Sequence, residues 1–373
     1  MKGYSIVGLM LLIAGQSLAG IYSPDEPFLF EIDSDGIAKP IQYVGGFEGI
    51  AAEFRDIGAP KSNWTPRLES RVRDRKAKGP STLGLEELAG YSADLIRLSR
   101  SDEVLNLLQP LARDPRRGGF LVYAHLARAH AARGEWQEAA DQQQVANQYS
   151  EFPTKFAKLS KEQLAWLKRI ERDYYRPFLL RRAEEARGGR PNELREDVDA
   201  LFPVSAGRKR TEAPIRFVGE NGEYAPGQLA AAEKSKLPAD ALAIVQQMIL
   251  WHPKDARLYW LLGELYNAQG EIGIAARLLD ACSFNMGYSN PNLIRHRQIL
   301  LKGTEEIATQ QAEIRQAEKA DQKLKEEEQQ TIERDNQKRR NWILVIGIAL
   351  VVLLGYYQGR EVIRRVRRSF SRA

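Results

Sequence analysis

Ala256 to Ser289 reads ARLYWLLGELYNAQGEIGIAARLLDACSFNMGYS, and this stretch decides the fold. Tyr259, Leu262, Gly263 and Tyr266 recur at helical spacing, so they share one face of a helix. Gly263 and Ala275 remove side-chain bulk where two helix backbones cross closely, while Leu262, Tyr266 and Leu279 fill the space around the crossing. Gly270 supplies the sharp turn between the two helices. The spacing therefore predicts an antiparallel helical hairpin.

These residues stand at the W-x2-L-G-x2-Y and A-x3-F offsets of the tetratricopeptide repeat, and the segment resembles one such unit. Cys282 stands where that family has Ala and Gly287 where it has Pro. A second stretch, Phe120 to Pro153, is similar: Tyr123, Leu126, Ala127 and His130 fall at the first-helix offsets, Gly134 at the turn and Ala139 at the close contact. With a degenerate unit at 86–119, it sets a period of about 34 residues. The resemblance implies an all-α fold, an α-solenoid of helical hairpins stacked because one hairpin cannot bury its own apolar faces.

The resemblance also implies a binding platform without chemistry of its own. The inner face of such an array is lined by first-helix residues pointing away from the packing side, here Arg257, Trp260, Glu264 and Asn267 in one unit and Leu121, Ala124 and Arg128 in the other. Trp260 and Arg257 are the expected contact pair, since aromatic and Arg side chains dominate interface energetics. The competing expectation is that Trp260 packs beneath a β-hairpin or the N-terminal segment. The Lys and Asn arrangement that clamps a peptide's terminal carboxylate in some relatives is absent at these positions.

Working outward, residues 1–20 read as a secretory signal, with Lys2, an apolar run from Ile6 to Ala14 and a small-x-small site at Ser17-Leu18-Ala19. From 21 to 84 six prolines interrupt any period, and Phe47 to Ile57 is the one helical patch expected there. Helical periodicity holds from 85 to 187, the first array, with Pro110 kinking one helix and Pro177 bending or ending another. Residues 188–237 are a Gly- and Pro-rich linker in which Ile215-Arg216-Phe217-Val218, a turn at Asn221-Gly222 and Glu223-Tyr224 read as a small β-hairpin. A second repeat region with a capping helix occupies 238–303.

The remainder departs in composition. Residues 304–340 are Glu-, Gln-, Lys- and Ala-rich and read as a helical stalk of about 45 Å, with Ile307, Ile314, Ala317 and Leu324 at a and d positions of an incomplete coiled-coil heptad. No charge occurs from 341 to 359, which predicts a transmembrane helix with Trp342, Tyr356 and Tyr357 as interfacial anchors. The tail, 360–373, carries six arginines against Glu361. By the positive-inside tendency the tail is cytoplasmic, which agrees with an exported, periplasmic or extracellular body.

At 373 residues, 43% hydrophobic and 28% charged, the chain has the composition of a folded protein. Its net charge of +6 comes from the membrane-flanking ends, and the body is slightly acidic, so a nucleic-acid partner is not expected. One cysteine excludes an intramolecular disulfide and a cysteine-based zinc site. His125 and His130 point about 140° apart round their helix and cannot share a metal. No nucleophile elbow, phosphate loop or metalloprotease motif occurs, so no catalytic, cofactor-binding or metal residue is expected. The sequence thus predicts a membrane-anchored scaffold binding a protein partner on the exported side and lipid through its span and tail. The alternatives are an exported enzyme or accessory protein with a site near 188–237, and a spacer that forms a homo-oligomer through the stalk.

Overall fold

The computed structural model describes residues 22–26, 28–41, 46–59, 61–114, 119–188, 198–203 and 213–370, except the side chains of Tyr149 and of many residues beyond 330. Residues 1–20, read as a secretory signal, much of the linker and the last tail residues lie outside the described residues. The fold is all-α. Two helices precede the arrays, α1 (Gly46–Arg55) and α2 (Trp64–Lys78). There follow α3 (Leu85–Arg97), α4 (Ser101–Ala112), α5 (Phe120–Ala132) and α6 (Trp136–Tyr149), then α7 (Lys161–Ile170), which passes through a π-turn, Glu171–Tyr175, into α8 (Arg176–Ala186). After the linker come α9 (Ala231–Lys234), α10 (Ala241–Trp251), α11 (Ala256–Ala268), α12 (Ile272–Asp280) and the long α13 (Pro291–Phe370). Residues to Thr304 form one compact unit and those from Glu305 a second.

Three hairpins, α3–α4, α5–α6 and α11–α12, close on the same turn. The N–H of Arg100, Glu135 and Glu271 donates to the carbonyl five residues earlier, on Leu95, His130 and Tyr266, at 2.8, 3.0 and 3.0 Å. The residue just before each of these donors has positive φ: Ser99 at 61°, Gly134 at 77° and Gly270 at 85°. This is how a helix end satisfies its orphan carbonyls. Ser99 adopts the left-handed conformation at a cost on the order of 1 kcal/mol that glycine avoids, which is why the first hairpin is hard to read from its sequence.

Within the third hairpin the backbones approach so closely that a Cβ on Gly263 would overlap Leu279 Cδ1 and lie 3.4 Å from the Ala275 carbonyl oxygen. Ala275, Leu279 and Leu262 are fully buried, and so are Ala127 and Ala139 in the α5–α6 hairpin. Tyr259 is also buried and donates to the Ala51 carbonyl at 3.2 Å. Tyr123, partly exposed, donates to the Ala112 carbonyl at 2.7 Å. The core runs continuously from α1 through α5–α8 to α10–α12. Arg97 crosses it to donate to the Leu250 carbonyl at 2.7 Å.

Several expectations need correction. Among the described residues no β-hairpin forms at 215–224, and the sole bridge pairs Ile32 with Ala38. Residues 213–219 run extended and a turn forms at Asn221-Gly222, closed by Gly219 N–H to the Glu223 carbonyl at 2.8 Å, but no strand ladder follows, and Arg216 N–H donates to the Glu233 side chain at 2.9 Å. The segment 21–84 is not irregular throughout. Besides α1, on the patch read as helical, it contains α2, which has few apolar residues because it buries only Leu68, Val72 and the stem of Arg75. Pro177 does not end its helix; it is the second residue of α8, directly after the π-turn Glu171–Tyr175, where the regular α-helical bonding is already interrupted. The capping helix does not stop at 303, since α13 continues without a break through the stalk and the uncharged run.

Candidate functional site

α11 starts at Asp255, whose carboxylate accepts from the N–H of Arg257 and Leu258 at 3.0 and 3.2 Å. The same carboxylate receives Arg182 Nη2 at 2.9 and 2.7 Å, so the cap also ties α8 to α11. Arg181 and Arg182 pair with the buried Asp199 of the linker at 2.8 and 3.1 Å, and Arg257 donates to Glu185 at 2.6 Å. Burial alone would raise the Asp199 pKa, but Arg181, Arg182 and Arg257 outweigh it and hold the carboxyl down at about 2.

One turn further along, Trp260, Glu264 and Asn267 share a face of α11, and all three are buried. Glu264 is fully buried and accepts from Trp260 Nε1 at 2.7 Å and pairs with His296 Nδ1 of α13 at 2.7 Å. The Tyr224 hydroxyl faces the same carboxylate; burial first, then the charge of Glu264, push its pKa well up. The Tyr224 ring lies flat on the His296 imidazole, with centroids 3.6 Å apart and planes 9° apart. Asn267 grips the turn above it: its Oδ1 accepts from Gly227 N–H at 2.7 Å and its Nδ2 donates to the Ala225 carbonyl at 3.2 Å.

Beside this cluster lies a cavity of about 270 Å³, lined on its apolar side by Phe202, Ile215, Phe217, Trp260 and Leu261. His296, Asn292, Asp199 and Arg216 supply its polar edge. No Ser, Thr or Cys is among the described residues that line it. The arrangement can hold an apolar or aromatic group and orient it by hydrogen bonds. Among the described residues no group of His, Cys, Asp and Glu is placed to hold a metal ion.

The surface expected for a partner is therefore not an open face. Trp260, Glu264 and Asn267 are brought together but buried: Tyr224 to Gly227 lie over Glu264 and Asn267, Tyr288 and His296 pack on Trp260, and Arg257 is engaged by Glu185. Trp260 is buried, but the rings against it are Tyr288 and His296. Arg128 lies elsewhere, 2% exposed in the core, paired with Glu171 and donating to the Ala124 carbonyl at 3.1 Å. Glu171 also accepts from Gln143 at 2.9 Å. An inner-face position in a first helix shows where a residue points, not what fills the space before it. Leu121 is half-buried and Ala124 fully buried. His296, Tyr224 and Asp199 were not singled out from the sequence; a histidine at the start of a helix after Asn290-Pro291 carries no signal of its own.

No family model, no curated protein and no solved structure matches the chain. What the chain does must be argued from its own residues.

Among the described residues no helix is long and apolar enough to cross a membrane. The uncharged run 341–359 lies within α13, with about half of its side chains outside the described residues. Of those described, Trp342 is 69% exposed and Val351 70% exposed.

Proposed function

We propose that the chain is a membrane-anchored scaffold of tetratricopeptide-like hairpins that binds a protein partner on the exported side and carries out no reaction. The observation that carries this reading is the grip of Asn267 on the main chain at Ala225 and Gly227. A side-chain amide that offers both a donor and an acceptor to a peptide backbone recognises polypeptide in general, whatever its side chains. The repeat assignment is supported by the identical turns at Ser99, Gly134 and Gly270 and by the contact across Gly263.

The anchor is supported by the uncharged run 341–359 and by large apolar side chains, Trp342, Ile348, Leu350, Val351 and Val352, left on the surface of the helix. With the signal at 1–20 and the basic tail, the reading puts the body outside the cytoplasm and the C-terminus within. Two measurements test it. Alkaline carbonate should leave the full chain in the membrane, and protease added outside cells should remove the body but spare the tail. A photo-reactive residue at Gln228 in membranes should give a discrete heavier adduct with another protein. Release by carbonate refutes the anchor, and absence of any intermolecular adduct refutes the platform.

The cavity next to Trp260 favours a second reading, an accessory protein that holds a small aromatic ligand between the linker and α11. Saturable shifts of the His296 ring signals on titration with small aromatic compounds would distinguish it. The exposed Ile307, Ile314 and Leu324 favour self-association of the stalk. A light-scattering mass that falls to the monomer on deletion of 304–340 would establish it.

A further inference from the structure

Residues 213–230 contact α11 and α13 in the way a bound peptide contacts its receptor. Bonds within the stretch hold its first part, Val218 N–H to the Arg216 carbonyl at 2.9 Å, Gly219 N–H to the Glu223 carbonyl at 2.8 Å, Gly222 N–H to the Gly219 carbonyl at 2.9 Å and Glu223 N–H to Asn221 Oδ1 at 3.0 Å, and tie Ala230 N–H to the Val218 carbonyl at 2.8 Å. Its central residues, Tyr224-Ala225-Pro226-Gly227, are instead held from outside. The tyrosine ring stacks on His296. The main chain on both sides of Pro226 is clamped by Asn267. Pro226 lies against Gly303 of α13, where an added Cβ would come within 2.9 Å of its Cγ. Gly227 takes φ 70°, and a Cβ there would meet Ile272 at 3.5 Å. Each of the four residues thus meets a feature suited to it: a flat ring partner, a backbone pair, a notch without a side chain and a turn that favours glycine.

We propose that this stretch is an internal pseudo-ligand, and that the face of α11 takes in its place a peptide segment of a partner carrying an aromatic-x-Pro-Gly sequence that turns at its Pro-Gly. The proposal deepens the scaffold reading and rests on it. A tethered segment competes at an effective concentration of about a millimolar. A free peptide of the same sequence therefore binds the intact protein far more weakly than it binds a protein whose own segment has been loosened.

The test uses the full chain in detergent and a fluorescein-labelled synthetic peptide, NGEYAPGQLA, matching residues 221–230. Tyr224→Ala with Pro226→Ala should loosen the segment, and anisotropy should show the labelled peptide binding at least tenfold tighter than to the unchanged protein. Adding Asn267→Ala should reverse that gain tenfold or more, and a peptide with Ala in place of its Tyr should bind neither protein. A loosened variant with unchanged far-UV circular dichroism and no gain in peptide affinity overturns the proposal. Should that variant not fold, native-state hydrogen exchange on the unchanged protein decides the matter. The amides of Gly227 and Ala230 should exchange roughly a hundredfold faster than those of Leu262 and Gly263, because the segment opens while the body stays folded. Equal protection overturns it. Failure here with a Gln228 adduct still formed removes the pseudo-ligand and leaves the scaffold; loss of both removes both.

Discussion

Replacing Glu171 by Gln tests whether Arg128 is a core residue or a contact residue. The Arg128 and Glu171 side chains are 1% and 0% exposed. Burial by itself would lower the Arg128 pKa, but Glu171, Tyr175 and Tyr22 more than offset it, so the guanidinium stays charged. That charge lies 4.4 Å over Trp251, 5.0 Å over Tyr175 and 5.3 Å over Tyr22. These ring faces remain in the Glu171→Gln protein and cannot replace the lost counter-charge, since they already act on the cation in the parent. Breaking a buried pair from one side costs about 3–5 kcal/mol, mostly because the remaining charge is stranded. With a urea dependence of about 3 kcal/mol per molar, the denaturation midpoint followed by circular dichroism should fall by about 1 M or more. Arg128→Met with Glu171→Leu removes both charges and should lie within about 1 kcal/mol of the parent, far short of the sum of the single changes Arg128→Met and Glu171→Leu, each of which strands one charge at about 3–5 kcal/mol. A single Glu171→Gln change costing under about 1 kcal/mol, or a double variant as damaged as the sum of the singles, would refute this reasoning.

Other perturbations follow from the same geometry. Burial first, then the nearby Arg128, push the His125 pKa down to about 4. The unfolded chain protonates it near 6.5, so its contribution is complete above that pH and falls as pH drops from about 6.5 to 4, by roughly 3 kcal/mol in total; His125→Gln should remove about half of the slope in that part of a urea-midpoint profile, because burial also holds His252 down at about 3. Gly263→Ala gains about 1 kcal/mol of helix propensity but meets Leu279, so a net loss of about 1–2 kcal/mol is expected in a thermal melt, and any stabilisation would show that the hairpin is looser than described. Asp255→Ala should cost about 2 kcal/mol through the lost cap and the lost bidentate partner of Arg182, which keeps Asp199 and Glu185, while Asp255→Ser should recover the cap and about half of the loss in urea titrations. Removing residues 341–359 should shift the chain from the carbonate-resistant to the carbonate-soluble fraction.

What could be read beforehand follows the range of the interactions. α3 to α6 and α10 to α12 carry their apolar stripe in contiguous sequence, and the turns at Gly134 and Gly270 need residues at fixed offsets, so a local pattern suffices. α2 escaped because WTPRLESRVRDRKAK buries so little that its helix depends on partners far along the chain: Asp94 receives both Arg71 and Arg75. Ile215 to Val218 has strand-forming residues, but propensity for an extended conformation does not say whether a strand or a helix lies alongside. The candidate site shows the same limit. Helical spacing put Trp260, Glu264 and Asn267 on one face correctly, yet their cover comes from Tyr224, Ala225 and Gly227 some forty residues upstream, and from His296 downstream. Arg128 read as an exposed cation because its partner Glu171 is 43 residues away.

Cys282 is fully buried in the α12 exit and donates its thiol to the Ala256 carbonyl at 3.4 Å. Burial first, then the negative charges of Asp255 and Glu264, push its pKa well up, so the thiolate that alkylating reagents and disulfides require does not form in the folded chain. The native sulfur is therefore a silent background for maleimide chemistry, and cysteines introduced at surface positions can be labelled without first removing it. For the same reason, a disulfide-linked dimer in a preparation would be a chemical record that α12 had come apart before the crosslink formed.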